Sequence, residues 1–165
     1  MADNFQKSLE FVLRQEGGFA NLKNDEITNL GVKKSTWEEY VGHPVSVDDI
    51  KRLKVTDVAP LYFKEYYKKA LCDVLVYPFS VCVFDFSVHS GVDRATKTLS
   101  KVLGVEQQKK QELVNKANAS NQADLTNRYI DARESFLKTL ANFKYYGKGW
   151  LSRTERLRKH VLGKQ

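Results

Sequence analysis

The chain has 165 residues, 42% of them hydrophobic and 28% charged, a balance that suits one globular domain able to bury a real core. No run approaches the roughly 18–20 apolar residues that span a bilayer, which excludes a transmembrane helix. The formal charge of +7 is uneven: residues 142–165 carry seven bases, among them Arg153, Arg156, Arg158 and Lys159, against the single acid Glu155.

In chain order, Asp3 is read as the cap of a first helix, with Gln6 as its capping-box partner. Phe5, Leu9, Val12 and Leu13 recur at helical spacing, and Gly17 should stop the helix. Residues 19–32 lose that period and contain the turn formers Asn24-Asp25 and Thr28-Asn29, so they read as an irregular loop or short hairpin. Short helices are expected after Ser35, boxed by Glu38 and stopped by Gly42, and after Ser46. A longer one should run from Thr56 to about Leu71, with Pro60 tolerated near its start. Pro78 opens PFSVCVFDFSVHSG, which is apolar on every side and reads as a central helix packed all round. Helices over 92–103, 106–118, 122–141 and 150–162 complete a single, mainly α domain spanning 1–165.

The N-terminus is amphipathic and lacks an apolar signal core, so the chain is expected to be made in the cytoplasm without a signal peptide. Cys72 and Cys82 sit in apolar runs as small hydrophobes, as in a reducing compartment. No Cys/His cluster has zinc spacing, and His43, His89 and His160 are scattered, so neither a metal nor a cofactor is expected. The basic tail reads either as a solvated helix face or as a surface for an anionic partner: nucleic acid, lipid or a wall polymer. No recognition helix or base-reading arrangement accompanies it, which argues against nucleic acid.

Two acids stand in apolar company. Glu16 follows Val12 by four residues and Leu13 by three, so it projects from the apolar side of the first helix. Desolvation there, and the negative end of the helix dipole, favour the protonated form that a general acid needs. The bland alternative is a last-turn glutamate that escapes to solvent. Asp85 lies in the middle of the central helix with His89 four residues on. It reads as a buried structural carboxylate bonded to His89 or to a backbone amide. Asp25, nine residues after Glu16, is the candidate second carboxylate. Aromatic rings concentrate in LYFKEYY and FKYYGKGW, as a sugar or base would require for stacking.

Together these segments resemble glycoside hydrolase family 108, the lysozyme-like muramidases of phage endolysins and secretion-associated wall hydrolases. The resemblance rests on Glu16-Gly17-Gly18, Asn21, Asp25 and Thr28-Asn29-Leu30-Gly31; on Tyr62, Tyr66 and Tyr67; and on Phe84, Asp85, Val88 and Gly91. Arg133 and the Gly149-Trp150-x-x-Arg153 pattern resemble the peptidoglycan-binding segment usually paired with this family. The resemblance implies a lysozyme-like fold, with a catalytic portion over 1–105 and a peptidoglycan-binding portion over 106–165. It implies cleavage of the β-1,4 link between N-acetylmuramic acid and N-acetylglucosamine, with Glu16 as general acid and Asp25 or Thr28 orienting the water. Substrate contacts are expected at Asn21, Asn29, Tyr62, Tyr66 and Tyr67, and further ones at Asp85, His89 and Trp150.

Peptidoglycan is then the partner, with an anionic envelope surface engaged by Arg156, Arg158 and Lys159, and the chain acts as a monomer on the cell wall after release or export. Three departures from the family pattern stand out. The Asp-x-Gly-Gly-x-Thr loop is shortened to Asp25-Glu26-Ile27-Thr28, the usual Tyr-Trp pair is Tyr66-Tyr67, and His89 replaces the usual Asn. The shortened loop keeps open the alternative of a wall-binding protein with impaired catalysis.

Overall fold

In the computed structural model, which describes residues 2–21 and 26–165, the chain order is mainly helical with one small sheet. The organising element is α5 (Phe79–Ser90), in which every residue from Phe79 to Ser87 is buried. A helix apolar all round has to be covered on every side. Helices α6 (Val92–Leu103), α8 (Gln122–Lys138), α9 (Phe143–Leu162) and α1 (Ala2–Glu16) pack around it. The C-terminal helices therefore share one core with the N-terminal ones. Cys72 and Cys82 are buried in that core as free thiols.

Helix α1 ends as expected: Gly17 takes φ +79° and donates its N–H to the Leu13 carbonyl, a left-handed stop that glycine adopts without a Cβ clash. Asp3 lies inside the first turn and pairs with Lys7 at 2.7 Å. The segment after α1 folds into three short antiparallel strands, β1 (Ala20–Asn21), β2 (Ile27–Asn29) and β3 (Val32–Lys33), in the order β1-β2-β3. Asn29 pairs with Val32, which leaves the two-residue loop Leu30-Gly31 with φ of 52° and 76°. Positive φ at both positions is the type I′ pattern that matches strand twist, and leucine is a costly residue to place there. The Tyr62 hydroxyl secures it by donating to the Leu30 carbonyl at 2.7 Å.

Several boundaries differ from expectation. Helix α2 (Lys34–Val41) starts directly from β3, without a side-chain cap. Glu38 is not a capping-box partner of Ser35; its carboxylate accepts the Val45 N–H and pairs with Lys34. Ser46 does cap α3 (Val47–Lys51), through a reciprocal box with Asp49. The helix expected over 56–71 is α4 (Val55–Tyr62) followed by one π-helical turn, Phe63–Tyr67. Helix α7 (Lys110–Ala119) starts later than expected and α8 ends at Lys138 rather than 141. Helix α9 begins at Phe143, not 150, and carries Gly147 and Gly149 within it. Gly147 is required there, because a Cβ would meet the Phe143 ring at 2.6 Å.

Candidate functional site

Where α1 ends, the Leu30-Gly31 turn folds over Glu16, and the α4–π segment supplies the opposite wall. Together with Val88 of α5 they enclose a pocket of about 250 Å³, lined chiefly by Glu16, Gly31, Lys33, Thr36, Tyr62 and Tyr66. The Glu16 side chain is 21% exposed, at the rim of the core and open to the pocket. A cavity of about 400 Å³ shares Thr36, Leu61 and Tyr66 with it, so the two form one groove that continues toward Tyr40.

Glu16 does not stand alone. Nη1 of Arg153 donates to its Oε1 at 2.9 Å, leaving Oε2 without a protein partner among the described residues. Arg153 is held from behind by Asp85, which takes Nε and Nη2 at 2.9–3.3 Å. Asp85, fully buried, also accepts from Arg133 Nη1 at 2.7 Å. Burial alone would push the Asp85 carboxyl up, but the two guanidiniums outweigh it and hold the group below its ordinary range. The result is a chain of charge, Arg133–Asp85–Arg153–Glu16, that holds the carboxylate lining the pocket in place.

The expected bond between Asp85 and His89 is not formed. Arg133 stands between them, its Nη2 lying 3.0 Å from His89 Nδ1. A guanidinium only donates, so Nδ1 accepts and the imidazole is neutral, with its proton on Nε2. Burial first, then the charges of Arg133 and Arg153, bring the His89 pKa down to about 4, against the pull of Asp85. Between that value and the ordinary 6.5 an unfolded chain takes up a proton that the folded one refuses. His89 therefore costs no stability above about 6.5 and erodes it as pH falls toward 4. Accordingly, His89→Asn should lose less melting temperature than the parent protein between pH 7 and 4.5; equal losses would show that His89 carries no such linkage.

The remaining expected site residues divide. Tyr62 and Tyr66 line the pocket, and burial, followed by the nearby charge of Glu16, raises both phenols above their ordinary pKa. Tyr67 turns the other way, into the core against Phe5 and Phe84, and cannot reach a substrate. Asn29 is also buried; its amide donates to the carbonyls of Ile50 at 2.9 Å and Lys51 at 3.3 Å, tying the sheet to α3. Asp85 acts through Arg153 and has no surface to offer a ligand. Thr28 is half-buried in β2 and Asn21 exposed in β1, and neither lines the pocket. Asp25 lies outside the described residues.

Trp150, half-buried, sets its ring near His89 at 5.8 Å and stacks with exposed Tyr146 at 5.9 Å and 29°, one turn of α9 before Arg153. Among the described residues no cluster of three or more His, Cys, Asp or Glu side chains could hold a metal.

Gly31 was part of a motif, yet its role becomes visible only in three dimensions. With φ at +76°, a Cβ there would fall 2.5 Å from the Tyr62 hydroxyl and 2.8 Å from Glu16 Cγ. Gly31→Ala should therefore cost about 1–2 kcal/mol in backbone strain alone and displace both pocket side chains. A melt and an activity assay together check it: a variant with unchanged melting temperature and full activity would contradict the close approach.

The profile of the glycosyl hydrolase 108 family matches residues 9–91, which takes in the second half of α1, the sheet, the π turn and α5. Among solved structures, that of Brucella abortus SagA is similar, with a TM-score of 0.87 and 32% sequence identity, over 99% of this chain and 96% of that one. No curated protein matches the sequence.

Proposed function

Since the chain belongs to the glycosyl hydrolase 108 family, we propose that it hydrolyses the β-1,4 link between N-acetylmuramic acid and N-acetylglucosamine in peptidoglycan, with Glu16 as the general acid. The observation that carries this reading is the placement of Glu16: it lines a pocket together with Tyr62 and Tyr66, with one oxygen paired to Arg153. In this scheme the Glu16 carboxyl passes its proton to the glycosidic oxygen as the bond to the anomeric carbon breaks. The sugar reaches an oxocarbenium-like state, and water, oriented by Asp25 as the family resemblance implies, adds to the carbon and releases a proton to solvent, from which the Glu16 carboxyl is restored. Arg153 keeps the carboxyl aimed without competing for Oε2, and orientation of this kind is a large part of what a fixed catalytic group contributes.

Two neighbouring cavities that share Thr36, Leu61 and Tyr66 suit an extended substrate. Tyr66 stands between the Glu16 pocket and the chamber near Tyr40, where sugar rings can stack. The Tyr146–Trp150 ledge on α9 offers a second aromatic face beside the same network, in keeping with glycan binding by the C-terminal portion. Action on the wall follows from the substrate. Mass spectrometry of digested peptidoglycan tests the bond: fragments with N-acetylmuramic acid at the new reducing end are expected. Fragments ending in N-acetylglucosamine would overturn the assignment, and an unchanged polymer that still binds protein would favour a wall-binding scaffold.

A further inference from the structure

On the side of α1 away from the pocket lies a second concavity. Contacts between α1 and α9 step from Glu16–Arg153 through Gln15–Arg156 to Phe11–His160, so the two helices run antiparallel. Between them opens a cleft of about 630 Å³ lined by Phe11, Arg14, Gln15, Arg156, Lys159 and His160. Three cations thus converge from two helices. Among the described residues, none of Arg14, Arg156 and Lys159 has a carboxylate within 4.0 Å. Arg156 is held by neutral partners instead, donating to Gln15 Oε1 at 2.9 Å and to Ser152 Oγ at 2.8 Å. Arg158, expected from sequence to join this surface, points elsewhere and is spent on Asn127 and Asp131. At the cleft's inner end, His160 lies against the Phe11 ring at 4.6 Å, and its buried Nε2 has no partner.

Like charges gathered without a counter-ion repel one another, and burial of an unpaired ring nitrogen is costly. An anion entering the cleft relieves the repulsion among the cations. We propose that this cleft binds a phosphoryl group, held by the guanidiniums of Arg14 and Arg156 and the ammonium of Lys159, at a site separate from the Glu16 pocket. The chemistry favours phosphoryl over carboxylate. A terminal phosphate brings up to two charges and three acceptor oxygens, enough for three cations, whereas a carboxylate brings one charge and two oxygens. Burial, then the charges of Lys164 and Arg14, hold His160 below its ordinary pKa, so near neutral pH the ring is a neutral donor and not a fourth cation. Such a group can come from a soluble phosphorylated compound or from a phosphorylated lipid headgroup at the envelope.

The test uses the full chain. Titration calorimetry with pyrophosphate at fixed ionic strength, and sedimentation with phosphatidylcholine vesicles with and without phosphatidic acid, are run on the parent protein and two double variants. Arg14→Gln with Lys159→Gln should weaken the binding at least about tenfold, while leaving hydrolysis of soluble glycan fragments at the parent rate. Lys101→Gln with Lys116→Gln removes the same charge from exposed positions elsewhere and should leave binding intact. Binding of pyrophosphate without vesicles identifies a soluble ligand; binding of phosphatidic acid vesicles identifies a headgroup; either supports the site. No binding of either probe by the parent protein, or equal losses in both double variants, overturns it.

Discussion

Glu16→Gln is expected to lower the release of new reducing ends from purified peptidoglycan by about 10²–10⁴-fold, the usual contribution of a positioned general acid, with little change in melting temperature. The substitution keeps the shape of the side chain and its capacity to accept from Arg153, so the pocket should survive. What is lost is the transferable proton. Because the amide still fills the space between Gly31 and Tyr62, binding of glycan should fall far less than turnover. A variant that retains more than about a tenth of the parent rate would leave too little for an acid catalyst to supply.

Asp85→Asn should be the most destabilising single change near the site. It leaves the guanidiniums of Arg133 and Arg153, 0% and 10% exposed at their side chains, without their shared counter-charge. Removing one partner of a buried ion pair typically costs about 3–5 kcal/mol, and here one carboxylate serves two cations. Urea denaturation should show a lowered midpoint at unchanged slope. Since Asp85 is held below the ordinary 3.8, the parent's advantage should be full above that pH and vanish as pH falls through the lower, native value. Activity should fall too, even where the variant stays folded, because Arg153 would no longer be anchored beneath Glu16. A loss below about 1 kcal/mol with unimpaired activity would show that the network neither holds the core nor aims the acid.

Much of the architecture was legible because it rests on local rules. The apolar run from Phe79 to Ser87 announced the central helix, Gly17 announced the end of α1, and Ser46 capped its helix as read. Local rules failed where tertiary contacts decide. The last helix was expected from 150, whereas α9 starts at Phe143, whose ring lies against Gly147. An i,i+4 reading of the 56–71 stretch did not foresee the π turn at Phe63–Tyr67.

At the candidate site, spacing placed Glu16 at the rim of the core and the family resemblance gave it a role, but its partner was not foreseen. Arg133 lies between Ile130 and Leu137 on the buried face of α8, and Arg153 between Trp150 and Leu157 on α9. Two arginines on apolar stripes, in a chain that also buries Asp85, form a complementary set that needs pairing. That signal was present in the sequence. Pairing Asp85 with its near neighbour His89 obscured it, since a contact across 68 residues leaves no local trace.

The most direct measurement is a crystal structure of the Glu16→Gln variant bound to an oligomer of alternating N-acetylmuramic acid and N-acetylglucosamine. The glycosidic oxygen between the two sugars should lie about 2.6–3.2 Å from the side chain at position 16, with neighbouring rings against Tyr66. Sugars bound only along the Tyr146–Trp150 ledge, with the pocket vacant, would contradict the assignment of Glu16 as the acid.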